Sequence, residues 1–139
     1  MPSTAGYSGT PLWKKLGLAP NQRICVIGAP EPYDTLVPDA PQPLQMQNKA
    51  DKTTELVHLF VEQRAELAKQ AAALRKALAP QAVLWISWPK KASKRPTDIT
   101  EDGIRELVLP LGWVDIKVCA VDATWSGLKL MVRKELRSA

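Results

Sequence analysis

Histidine and cysteine are nearly absent from this sequence, with one His and two Cys in 139 residues. So few ligands cannot close a zinc site of Cys and His, and two cysteines cannot staple a disulfide scaffold. Cys25 and Cys119 lie in the apolar runs I-C-V-I-G and V-C-A-V and read as small buried hydrophobes. No G-x-S-x-G, C-x-x-C or H-E-x-x-H occurs, which removes the commonest sequence signatures of hydrolases, redox dithiols and zinc proteases. His58 stands between Val57 and Leu59 with no second titratable group beside it. It therefore reads as a satisfied core histidine rather than a general base. No apolar run approaches about 18 residues, so no membrane span is expected. The first residues include Pro2, Ser3, Thr4 and Gly6 and lack the basic-then-apolar order of a signal peptide. These absences predict a soluble, cytoplasmic protein without a membrane partner.

What is present fits one α/β domain over 1–139, with an N-terminal segment of about 22 residues leading into it. A chain of this length can bury a core without metal or disulfide help. Lys plus Arg exceed Asp plus Glu by 19 to 14, a net charge of +5. A basic balance favours anionic partners, although solubility alone accounts for a charge of this size. The distribution is more telling: Lys90, Lys91, Lys94 and Arg95 cluster with no acid among them.

Eight of the twelve prolines fall in residues 1–43, so the first third is built of short elements broken by turns. Thr10-Pro11 to Gly17 predicts a short helix, with Thr10 as cap, Pro11 in the first turn and Gly17 as stop. Residues 24–27, 56–61 and 82–88 are continuous apolar runs, the mark of strands buried on both faces. A helical turn is expected over 31–37 and a short strand over 44–47. Leu67, Ala71, Leu74 and Leu78 give one face of a helix over about 62–78, which Pro80 ends. Asp98 or Thr100 should cap a further helix, distorted or shortened by Pro110 and closed by Gly112. Period-2 alternation over 113–122 puts Val114, Ile116, Val118 and Ala120 on one face. A second alternating strand holds Leu128, Leu130 and Val132, with a loop over 123–127 between the two. The order predicts a three-layer, Rossmann-like mixed sheet, mostly parallel, with an antiparallel C-terminal edge hairpin.

In such sheets ligands gather where parallel strands end. The loop after the first strand holds one glycine, Gly28, and two prolines, Pro30 and Pro32. Proline has no N–H to offer a phosphate, so a dinucleotide cradle is not expected there. The best candidate is the stretch 88–95. There Trp88 could stack on a ring while Lys90, Lys91, Lys94 and Arg95 meet an anion and Ser93 donates a hydrogen bond. The second candidate is 122–127, where Asp122, Thr124, Trp125 and Ser126 crowd one loop. A structured turn explains that loop equally well, with Trp125 covering the core edge and Gly127 taking an unusual dihedral. The segment 7–11 could place an anion at the first helix, though plain capping suffices.

Three strings carry a resemblance: Y-S-G-T-P-L at 7–12, W-x-S-W-P-K-K-A-S at 85–93 and V-C-A-V-D-x-T-W-S-G-L at 118–128. With them the chain resembles a small bacterial family carried as a domain of unknown function. The stretch from Leu56 to Trp88 and the closing hairpin also resemble class I methyltransferases. That likeness implies a reduced methyltransferase-like scaffold and, with it, S-adenosylmethionine as cofactor. The residues themselves predict no cofactor and no metal. The expectation is a non-catalytic protein binding an anionic small molecule or a protein partner through 88–95, with an S-adenosylmethionine-dependent transferase or a nucleic-acid-binding protein as alternatives.

Overall fold

The computed structural model describes residues 10–137. Six strands form one sheet in the order β2-β1-β3-β4-β6-β5. β1 (Arg23–Ile27), β2 (Gln45–Gln47), β3 (Leu56–Phe60) and β4 (Val83–Pro89) run parallel. β6 (Trp125–Val132) returns antiparallel against β4, and β5 (Trp113–Ala120) closes the edge against β6. The parallel core and the antiparallel edge hairpin are those expected from the apolar runs and the alternation. Among the described residues no helix is long and apolar enough to cross a membrane.

The helices divide between the two faces. α3 (Arg64–Ala77) and α4 (Glu101–Val108) cover one. Leu67, Ala71 and Leu74 of α3 and Ile104 and Val108 of α4 pack there with Val57, Leu59, Leu84, Ile86 and Leu130. Among the described residues the other face carries α1 (Leu12–Leu16) and α2 (Tyr33–Leu36), which pack on Ile24, Leu56, Phe60 and Trp85. α1 is far too short to be stable alone. It is tied down by the buried indole of Trp85, whose Nε1 donates to the Leu16 carbonyl at 3.0 Å.

Several local expectations are corrected. The capping position of α1 falls on Pro11, one residue after Thr10, and the Pro11 carbonyl accepts from the Lys14 and Lys15 amides. Gly17 does stop the helix, at φ 82°. α3 begins at Arg64 because its first free amide is met from outside, by Asp98 Oδ1 at 2.6 Å. Thr100, not Asp98, therefore caps α4, accepting from the Gly103 amide at 3.0 Å. Pro110 ends α4 as a tight 3-10 turn over Leu109–Leu111. The loop between the last strands is shorter than expected, since β6 already starts at Trp125. Gly127 has no unusual dihedral but a crowded site: a side chain there would meet Val121 and Trp85 at 3.1 and 3.3 Å. Ile116 and Val118 are about half exposed, at 47% and 46%. β5 is an edge strand whose register with β6 shifts between Asp115 and Lys117, and a bulge of this kind breaks the alternation.

Candidate functional site

The strand order reverses beside β1, because the chain leaves β1 for β2 on one side and returns to β3 on the other. A crevice at the carboxyl ends of these strands is the usual ligand position. Here it is shut. Gly28 leaves β1 at φ 75°, and a Cβ on it would lie 2.6 Å from the Phe60 carbonyl oxygen at the end of β3. Only glycine fits this approach. Pro30 and Pro32 follow with no N–H to donate. Gln47, at the end of β2, stands where nucleotide-binding folds place a carboxylate for a ribose. Its amide is already engaged, receiving from Thr54 Oγ1 at 2.5 Å and donating to Thr53 Oγ1 at 3.0 Å. These residues do not fit a nucleoside cofactor in that crevice.

Beneath these strand ends runs a buried polar chain. Tyr33 Oη and His58 Nδ1 are 2.7 Å apart, and His58 Nε2 and Ser87 Oγ are 2.6 Å apart. The His58 ring stacks on Phe60 at 4.2 Å between centroids. Complete burial pushes His58 down to about 3, so it stays neutral, and burial pushes the Tyr33 phenol well above its ordinary range. Both histidine nitrogens are satisfied and water does not reach them. This is the core histidine expected from its apolar neighbours.

An open site lies to one side, over the end of β4 and the hairpin turn. A cleft of about 590 Å³ runs between α1, the segment after α2 and the turn from β5 to β6. Trp13 and Lys15 come from α1, Asp39 from the segment after α2, Lys90 from the end of β4, and Val121 and Asp122 from the hairpin. None of Trp13, Lys15 and Asp39 stands out in the sequence. They meet where α1, held across the sheet by Trp85 and by its own buried leucine, faces the segment after α2.

The two stretches singled out from sequence are brought together. Pro89 pairs with Trp125, and the Lys90 amide donates to the Thr124 carbonyl at 2.7 Å. Their side chains serve other purposes than expected. Trp88 is not a stacking platform: it is 7% exposed and packs in the core beneath α3 and α4. The Ser93 hydroxyl donates to the Lys90 carbonyl at 2.6 Å, within its own loop. Arg95 is paired with Glu62 and lies 5.4 Å over the Trp125 ring. Trp125 is buried at the core edge. Asp122 Oδ1 accepts from the Thr124 and Trp125 amides, both at 2.8 Å, the structured turn expected as the plain alternative. Ser126 pairs with Trp88 inside the sheet. Of the four clustered cations only Lys90 reaches the cleft, while Lys91 and Lys94 stand exposed on the loop beyond it. Tyr7, Ser8 and Gly9 lie outside the described residues.

No family model matches the chain and no curated protein matches it, so the likeness to the small bacterial family gains no support there. Solved structures do match. A SAM-dependent methyltransferase from Aquifex aeolicus is 15% identical with a TM-score of 0.62, covering 88% of each chain. The magnesium protoporphyrin IX methyltransferase of Synechocystis PCC 6803, solved with bound SAM, is 13% identical with a TM-score of 0.57, covering 88% of this chain and 74% of that one. A Sulfolobus solfataricus structure assigned as a type 11 methyltransferase is 11% identical with a TM-score of 0.51, covering 66% of this chain; this chain spans only 59% of that one. At such identities the likeness speaks for architecture, and the architecture is the methyltransferase-like Rossmann fold.

Proposed function

We propose that the cleft between α1 and the hairpin binds a charged metabolite carrying a planar ring, and that S-adenosylmethionine is that metabolite, making the chain a transferase of atypical design. The observation that carries this reading is the cleft itself. Its volume of about 590 Å³ falls in the range that small-molecule sites occupy. The indole of Trp13 offers a face to a ring or to a sulfonium cation. Asp39 and Asp122 supply negative charge for an ammonium group, and Lys15 and Lys90 supply positive charge for a carboxylate. The methyltransferase-like fold supports the same ligand. It ranks the transferase above the non-catalytic role that the sequence alone suggested. With two prolines in the loop after β1, this reading puts the ligand on the α1 side of the sheet. When bound, S-adenosylmethionine supplies an electrophilic methyl group.

Calorimetry and thermal unfolding with S-adenosylmethionine test this. At roughly 100 times its Kd the ligand should stabilise the fold by about 2.7 kcal/mol, and Trp13→Ala should remove most of that gain. Absence of any stabilisation at millimolar ligand rejects the transferase reading. A second reading then stands, favoured by the proline-rich loop after β1 and the cations beside the cleft: a non-catalytic protein that holds an anionic small molecule or protein partner. It requires Lys90→Ala, Lys91→Ala and Lys94→Ala together to abolish binding of that anion while leaving the unfolding transition in place.

A further inference from the structure

The loop that follows β4 is fastened in one shape and carries charge that no described acid answers. Its two ends are tied down. The Lys90 amide donates to the Thr124 carbonyl at 2.7 Å, and Arg95 pairs with Glu62 while lying over the Trp125 ring. Between them runs a 3-10 turn over Lys91–Ser93, closed by the Ser93 amide on the Lys90 carbonyl at 3.0 Å and the Lys94 amide on the Lys91 carbonyl at 3.1 Å. The Ser93 hydroxyl donates to the Lys90 carbonyl and accepts from the Arg95 amide at 3.2 Å. Lys91 and Lys94 are left exposed. Among the described residues no ion pair includes Lys90, Lys91 or Lys94. Lys94 stands in the left-handed region, at φ 60° and ψ 13°. The other described non-glycine residue with positive φ is Asn21, a type that tolerates it. Lysine is strained there, whereas glycine would take the same backbone without penalty. A long cationic side chain at a position whose backbone favours glycine points to a use for the charge.

We infer that this loop docks on the sugar–phosphate backbone of a nucleic-acid double helix, with Lys91 and Lys94 against phosphates and Lys90 beside them at the edge of the cleft. Three features select that partner. A single small anion is held by fixed donors such as free amides or a guanidinium fork. Here the Ser93 and Lys94 amides and the Ser93 hydroxyl are spent inside the turn, and Arg95 is engaged by Glu62. What remains are flexible point charges, which suit phosphates in series. A single strand asks for an exposed ring to stack on, but Trp88 and Trp125 on either side of the loop's base are buried. Contact with the backbone alone serves a duplex and carries no sequence preference. Protein interfaces and membranes ask for apolar anchors. The exposed large apolar side chains, Met46, Leu109, Ile116 and Val118, all lie on other elements. The inference goes beyond both readings of the cleft, because Lys91 and Lys94 stand outside its lining.

The test is fluorescence anisotropy with short labelled DNA and RNA duplexes at low and at moderate salt. The intact chain should bind a duplex at low salt and lose affinity as salt rises. Lys91→Gln with Lys94→Gln should weaken binding about tenfold and flatten the salt dependence by roughly two released ions. The control is Lys49→Gln with Lys76→Gln, exposed lysines elsewhere on the chain, which lowers the net charge by the same amount and should change affinity by no more than about twofold. Lys94→Gly separates function from folding. It should weaken binding about threefold, while its thermal unfolding midpoint stays or rises because the left-handed backbone is relieved. Lys94→Arg should bind as the parent does. A lysine that served only the fold would give the reverse, a lower midpoint with unchanged affinity, and that result overturns the inference. So would equal losses in the loop pair and the control pair, or no binding of either duplex at low salt. Tighter binding of a single strand, of an oligoglutamate or of vesicles rich in anionic lipid than of the duplexes would overturn it too. S-adenosylmethionine calorimetry on the Lys91→Gln, Lys94→Gln chain reports separately on the cleft, so failure of either reading leaves the other legible.

Discussion

The two faces of the sheet are built to different standards. Under α3 and α4 the core is wholly apolar and the helices are long enough to present several turns. Under α1 and α2 the cover amounts to five and four residues. The interior there holds the Tyr33–His58–Ser87 chain, and a cleft stays open beside it. The difference assigns labour: the first face makes the fold stable, and the second gives up apolar burial for polar contacts and space. Regions that bind ligands are drawn from the less stable part of a structure, and here that part is the α1 side.

The sharpest way to break the comparison is to damage the apolar face and ask what the other one feels. Leu67 is fully buried beneath α3. Leu67→Ala should cost about 3–5 kcal/mol, the transfer of the side chain plus the cavity left behind. Ligand binding in the α1 cleft should survive at temperatures where the variant is still folded. A fall in cleft affinity as large as the fall in stability would show that the two faces are not independent.

The next effect belongs to the polar face. His58 is held neutral at about 3 by burial, well below its ordinary value of 6.5. The unfolded chain takes up a proton on this ring as pH drops below about 6.5 and the folded chain does not, so the fold loses stability through that window. The contribution is complete above about pH 6.5 and declines by roughly 4 kcal/mol as pH approaches 3. Urea unfolding of the parent and of His58→Gln at pH 7, 5.5 and 4.5 isolates it, since glutamine does not titrate. The parent should lose stability with acid faster than the variant. Parallel curves would mean that this ring is not the titrating element.

How much of this was legible follows the same division. The apolar face could be read directly, because continuous runs such as Leu56–Val61 and the repeat Leu67, Ala71, Leu74 state their own burial by periodicity. His58 could be read too, from its flanking Val57 and Leu59. The cleft could not. Trp13, Lys15 and Asp39 are ordinary residues in or beside short elements, and they become neighbours through tertiary contacts such as the bond from Trp85 to Leu16, across 69 positions of chain. Trp88 misleads for a related reason: its place at the end of a strand beside four cations suggested a ring turned toward a ligand, but β4 extends through Pro89 and turns the indole inward. The edge strand misleads because a bulge is invisible to a period-2 count.

The smallest effect tests the seam between the two regions. The loop after β4 leaves beside the cleft at Lys90 and crosses to the α3 side, and three polar contacts fasten it there. Arg95 pairs with Glu62, Thr97 Oγ1 donates to the Glu62 carbonyl at 2.6 Å, and Asp98 Oδ1 accepts from the Arg64 amide at 2.6 Å. Gln63, the residue in the capping position of α3, contributes no side-chain bond, so Asp98 does the work of a cap from 34 positions away. Removing a cap costs about 1 kcal/mol. Asp98→Ala should lower stability by that amount, while Asp98→Asn, which keeps the acceptor oxygen, should lower it by less. The informative readout is amide exchange over 90–97, which should quicken in the alanine variant while the interior of α3 stays protected. Quickening throughout α3 would mean that the cap holds the helix itself. An unchanged loop would mean that Arg95 and Thr97 suffice to hold Lys90 at the cleft, and that the seam transmits nothing from the stable face to the binding one.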